Sequence, residues 1–333
     1  MRAIAVLMVV VSHTLQLFLG LRSFFYPLGN AGVLIFFIHT ALVLLMSIER
    51  SGKEGATLFK DFYLRRLFRI YPLSILVVLI LATTNIPDRA WGTYSWIGWK
   101  AVGNDLLLIS NITKTNDITT PLWSLPYEVQ MYLALPAIYL LIQHSSTFFR
   151  MMLWMAAVAV ATLTMGIAHN PVASYAPCFV AGTLAFHEKD GRRRLPALLW
   201  PAFVIAWIMA FSMVAPPGGA TEDIAGWIAC PLLAVAIPSF RQATNPLVCS
   251  AAKFFARFSY GIYLTHMPLL WICFVKVEAS LSVRWLLFVA LGTAIPMLLY
   301  KIVESPMIRR GRMLANSLTR QPTFAALAKS ATD

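Results

Sequence analysis

Charge is what this chain has least of. Charged side chains make up 12% of its 333 residues, about half the roughly one quarter typical of soluble domains, and the mean hydropathy is +0.71. That shortfall excludes a soluble globular chain and a disordered one. Cysteine is scarce as well. Cys178, Cys230, Cys249 and Cys273 show no metal-ligand spacing, and three of them fall within apolar runs, so they read as buried thiols rather than a disulfide framework or zinc site. The short alternating amphipathic stretches of a membrane β-barrel are missing too. Long apolar runs recur from end to end instead, which predicts an all-α polytopic bundle of membrane helices.

Ten runs have spanning length, at about 3–20, 31–48, 70–86, 122–143, 151–168, 171–187, 196–214, 223–240, 257–276 and 283–304. The first has a basic start but no small-x-small cleavage pattern, and His13 and Gln16 interrupt it, so it is expected to stay as the first membrane helix. The stretch 97–110, broken by Lys100, Asn104 and Asp105, reads as an interfacial helix. Residues 1–312 form a single expected transmembrane domain, and 313–333 a flexible cytoplasmic tail.

Acidic residues number 14 against 27 Lys and Arg, a net charge of +13. With the amino terminus inside, 21 of those 27 cations fall on cytoplasmic segments, as the positive-inside rule requires. Both termini are then cytoplasmic. The cationic excess sets topology and gives no reason to expect nucleic acid.

Ionisable groups at membrane depth are functional candidates by default. At 1.5 Å per residue, His13 lies roughly 16 Å above Arg2 and close to the middle of a core about 30 Å thick. In "AGVLIFFIHTALVLL", His39 comes roughly 12 Å inward. In "PLWSLPYEVQMYLALP", Glu128 sits roughly 9 Å below Leu122, and His266 in "FSYGIYLTHMP" roughly 14 Å above the inner end of its helix. Four helices thus bring ionisable groups to one level. A membrane histidine can also serve only as an interhelical hydrogen-bonding group, and His144, His169 and His187 fall at helix ends.

A second feature is "FKDFYLRRLFRIYPL", where Arg65 and Arg69 share a helical face, as do Arg66 and Arg69. Arginines at a cytoplasmic boundary satisfy topology, and guanidinium groups also clamp phosphate bidentately. In "KIVESPMIRR", Glu304 is placed to pair with Arg309 or with the third-helix arginines. Trp91, Tyr94, Trp96 and Trp99 fit an outer interfacial belt, and "SNITKTNDITTP" reads as a polar outer loop.

Taken in order, Arg2-x10-His13, "RRLFRIYP", "WSLPYE", "SYGIYLTH" and "ESP" resemble the acyltransferase-3 family of bacterial membrane acyltransferases over nearly the whole chain. The resemblance implies ten membrane helices in the bacterial inner (cytoplasmic) membrane. It implies transfer of acetyl or other acyl groups from acetyl-CoA or another acyl-CoA to a carbohydrate or lipid-linked sugar of the cell envelope, or to a secreted product. It makes His13 the catalytic histidine and Glu128 its acidic partner. Arg2, Arg65, Arg66 and Arg69 become donor contacts, and His39, Trp123, Ser124, Ser259, Tyr260 and His266 positions lining the site. Where the family has a small Ser-Gly pair after the second-helix "FF", this chain has Ile38-His39-Thr40. Either the close backbone approach there is relaxed or His39 takes a subgroup role.

The expected mechanism docks acyl-CoA phosphates on the arginines and threads the thioester up to His13. His13 acts as general base on an acceptor hydroxyl or itself takes the acyl group, and Glu128 orients its ring. A proton-coupled transporter or flippase using the midplane His and Glu groups is the rival. A lipid-sugar glycosyltransferase is weaker, because no acidic metal-binding pair faces outward.

Overall fold

The computed structural model describes residues 1–19, 22–86, 98–166, 171–188, 195–215 and 220–319. Among them there is no β-strand, only a single bridge between Leu195 and Phe240. The apolar runs become α1 (Arg2–Leu19), α2 (Arg22–Ser51), α3 (Gly55–Thr84), a short α4 (Gly98–Leu107) and a single turn α5 (Ser110–Thr113). They continue as α6 (Ser124–Ile142), α7 (Thr147–Gly166), α8 (Ala176–His187), α9 (Leu199–Val214), α10 (Ala220–Ser239), α11 (Pro246–Trp271), α12 (Leu281–Leu299) and α13 (Ser305–Thr319). Among the described residues eight helical segments are long and apolar enough to cross a membrane, and α8 and α9 are shorter apolar helices, one for each of the ten expected runs. The chain is a polytopic helical bundle.

α4 is a ten-residue helix at the stretch expected to be interfacial between the third and fourth spans. The loop expected over 110–121 holds α5 and the start of a 3-10 turn, Thr120–Trp123, that feeds directly into α6. Trp99 is 68% exposed, while Trp91, Tyr94, Trp96 and His169 lie outside the described residues. Residues 313–319, expected in the tail, are the last two turns of α13. That helix packs against α3, with Arg65 bonded to Asn316 at 2.8 Å and Lys53 to Thr319 at 2.6 Å.

α2 and α11 are the most enclosed spans, and α7 and α12 the least. α2 touches α1, α3, α6, α8, α9 and α10, so one continuous apolar core grows around it. The α2–α8 contact is close because Gly182 on α8 has no side chain. A Cβ there would lie 2.5 Å from that of Ala41 and 2.9 Å from the Ile38 carbonyl oxygen. Close backbone approach therefore survives without a Ser-Gly pair on α2, because the small residue sits on the opposite helix.

Arg150, counted from sequence as one more cytoplasmic cation, is 3% exposed. Its guanidinium donates to the carbonyls of Ile142 at 2.7 Å and Thr183 at 3.1 Å. It thereby ties the end of α6 to α8. Prolines inside spans are tolerated when neighbours satisfy the freed groups. Pro268 and Pro296 are each followed four residues later by a π-helical turn, Ile272–Lys276 and Tyr300–Glu304. The second turn delivers Glu304, 1% exposed, toward α3.

Candidate active site

Helical spacing builds the site before any contact is considered. Arg2 and His13 are eleven residues apart, about three turns, and so share a face of α1. Ser124, Glu128 and Tyr132 repeat every four residues on α6, and Ser259, Tyr263 and His266 follow a four-three spacing on α11. These faces, with Arg66, Arg69 and Ile70 of α3, converge. Arg2, Arg66, Arg69, Ser124, Glu128, Tyr132, Ser259, Tyr260 and Tyr263, closed by Val33, Phe36, Phe37, Ile70 and Leu125, line one cavity.

Beside its Tyr263 wall sits a pair of imidazoles. His13 Nδ1 lies 2.9 Å from His266 Nε2, with ring centroids 5.1 Å apart. His266 Nδ1 lies 2.7 Å from the carbonyl oxygen of Tyr263 and 3.2 Å from that of Ile262. A carbonyl only accepts, so His266 carries its hydrogen on Nδ1. With both rings neutral, Nε2 of His266 is then an acceptor, and His13 Nδ1 must donate to it. The chain of assignments ends at His13 Nε2, which keeps its lone pair. The backbone of α11 thus fixes the tautomer of a side chain on α1.

Glu128 does not take the expected place beside His13. Its carboxylate accepts from the Tyr132 hydroxyl one turn along α6, and the ring partner of His13 is His266. The i, i+4 spacing from Glu128 to Tyr132 was visible in the sequence, as was the i, i+3 spacing from Tyr263 to His266. What sequence lacked was the rotation of each helix about its axis, which decides whether Glu128 faces α1 or its own neighbour.

The cavity's cationic end is built from three guanidiniums. Arg69 Nη1 lies 3.3 Å from the Glu304 carboxylate, so of the two expected partners Glu304 takes the third-helix one. Arg66 stands over the Phe62 ring, 6.0 Å from its centroid. The Nε atoms of Arg2 and Arg66 are buried with no hydrogen-bond partner among the described residues. Arg65 is turned aside. It bonds Asp61 at 2.8 Å and Asn316 at 2.8 Å, and lines a small neighbouring pocket near Ser47 and Ser51 that shares Arg66 with the main cavity.

Ser124 Oγ is 2.7 Å from the Tyr263 hydroxyl, and the Tyr260 hydroxyl donates to the Ile70 carbonyl at 2.9 Å. His39 does not line the cavity; its buried Nδ1 has no partner among the described residues, and it lies within electrostatic reach of Arg2. Trp123 stands outside the cavity as well, in an aromatic cluster with Tyr127 and Tyr175 at ring distances of 6.2 and 5.3 Å. Sequence reading passed over Tyr127, Tyr132, Tyr175 and Tyr263, since a tyrosine in an apolar helix carries no signal of which neighbour its hydroxyl will meet.

Outside the spans, a carboxyl pair braces the approach to α6. Asp105 is 1% exposed and accepts from the Ile118 amide at 2.7 Å. Burial, then the charge of Asp117, pushes Asp105 up to about 8. Burial raises Asp117 also. The two hydrogen-bond to each other and hold a proton between them, fixing the strap that leads to Thr120–Trp123 and so to Ser124.

These features define a class: a multi-pass membrane protein with an arginine-lined cavity beside a tautomer-locked imidazole pair. The description Acyltransferase domain matches residues 1–301, and the chain belongs to the acyltransferase-3 family. It is a membrane acyltransferase. Among curated proteins and solved structures, none matches it.

Proposed function

We propose that this protein transfers an acetyl or other acyl group from acyl-CoA to a hydroxyl of a cell-envelope carbohydrate or secreted product. The observation that carries the reading is the pair of buried, unpartnered Nε–H donors of Arg2 and Arg66 in one cavity with Arg69. A buried donor without an acceptor costs about 1–3 kcal/mol, more for a charged group, and a ligand bearing several phosphate oxygens removes that cost. Arg65, at the adjoining pocket, lies where such a ligand enters. The donor approaches from the cytoplasmic side of a bacterial inner membrane, and its acyl arm runs along the Tyr260–Tyr263 wall toward His13. The acceptor comes from the opposite side.

In the reaction the acceptor oxygen forms a bond to the thioester carbon while its proton passes to His13 Nε2. The carbon–sulfur bond then breaks, and the imidazolium returns the proton to the departing thiolate. His266 accepts from His13 Nδ1 throughout and holds the ring, a positioning role that sequence reading had given to Glu128. With purified protein, we expect acyl-CoA turnover only when a carbohydrate acceptor is present. Replacing His13 with alanine should lower the rate by roughly 10²–10⁴-fold. Proton-coupled uptake into vesicles without acyl-CoA would contradict the reading.

A further inference from the structure

A second opening adjoins the site. Between α3 and α6 runs a groove larger than the cavity, and Arg66, Ile70 and Tyr132 line both. We propose that this groove is a site for one acidic phospholipid, its phosphate at Lys60 and a tail along α3.

Three observations carry this. First, the groove extends along α3 from Lys60 to Tyr71, roughly 16 Å at 1.5 Å per residue. A single leaflet contributes about half of a hydrocarbon core roughly 30 Å thick, so the groove has the length of one lipid tail.

Second, its polarity runs one way. Leu64, Leu67, Val129, Leu133 and Leu318 supply an apolar wall, with Leu67 49% and Leu133 63% exposed. The lining tyrosines are spent elsewhere: the Tyr63 hydroxyl donates to the Leu133 carbonyl at 2.7 Å, that of Tyr71 to the Leu107 carbonyl at 3.2 Å, and that of Tyr132 to Glu128. The apolar wall therefore suits a hydrocarbon chain.

Third, the charge is cationic and unanswered. No carboxylate lines the groove, and Lys60 is exposed with no ion pair among the described residues. An anion at a lysine on the cytoplasmic leaflet, with an apolar trough above it, is a phospholipid headgroup position.

Native mass spectrometry of the detergent-purified protein, incubated with equimolar phosphatidylglycerol and phosphatidylcholine, tests this. One phosphatidylglycerol per chain should be retained at least tenfold over phosphatidylcholine. Filling the groove with L67W and L133W together should abolish retention, whereas L286W, equally bulky on exposed α12, should leave it unchanged. K60E on the exposed lysine should erase the preference between the two lipids even if the double variant fails to fold. Equal retention of both lipids, retention undiminished in the filled variant, or a preference unchanged in K60E overturns the proposal. So does a dimer that dissociates when the groove is filled, which would assign the groove to a second copy. Lipid retention is read without acyl transfer, so its failure leaves the donor reading standing.

Discussion

At the scale of single residues, the imidazole pair carries the most consequence. The Tyr263 carbonyl sets the hydrogen on His266, His266 sets it on His13, and the free lone pair falls on His13 Nε2. His266→Phe removes the acceptor and should lower kcat at least tenfold with KM for acyl-CoA little changed. Its pH–rate profile should shift, because the tautomers of His13 are no longer distinguished. A KM effect alone would make His266 structural. Arg66 is tested by binding. One charge-assisted bond is worth about 1.5–3 kcal/mol, so Arg66→Met should raise the acyl-CoA KM by roughly 10- to 150-fold, with smaller effects at high salt. The equivalent change at Arg65, already paired with Asp61 and Asn316, should cost less.

At the scale of elements, close contacts and carboxyl pairs hold the site's walls. Gly182→Val places carbon atoms against Ala41 and the Ile38 carbonyl. Overpacking of this kind costs about 1–3 kcal/mol, so the thermal midpoint should fall, and an unchanged midpoint would show that α2 and α8 separate freely. The strap over 104–119 responds to pH. Asp105 is raised in the folded protein to about 8, from an unfolded value of about 3.9. Its contribution is complete below the unfolded value and is lost as pH rises through about 8. Above that, two buried carboxylates face each other with no shared proton. Amide exchange over 104–119, corrected for intrinsic rate, should accelerate progressively from about pH 4 to about pH 8 and level off above it, and Asp105→Asn should remove the dependence. Nothing in the sequence announced the pair: the two residues are twelve positions apart, Asp105 in what reads as an interfacial helix and Asp117 in a polar outer loop, and their meeting depends on the turn through α5.

At the scale of the whole molecule, topology is the testable quantity. Cations should hold Lys114 and Arg312 on opposite faces. In a background without the four native cysteines, Lys114→Cys should react with a membrane-impermeant maleimide from outside intact cells, and Arg312→Cys only after permeabilisation; the reverse labelling would invert the bundle. The apolar side chains exposed on α7 and α12, among them Phe148, Leu163, Leu286 and Val289, are where lipid is expected.

By itself, the sequence determined the class, a polytopic bundle, and the order of its apolar helices, because burying backbone in lipid demands long apolar helices and composition records them directly. It also marked His13, Arg66, Arg69 and Glu304 as costly residues for their setting. Which of these residues meet was left to tertiary structure. A residue number gives depth along a helix but leaves open how that helix is turned and tilted against the others, and a change in rotation of about 100° per residue is enough to exchange Glu128 for His266 as the partner of His13.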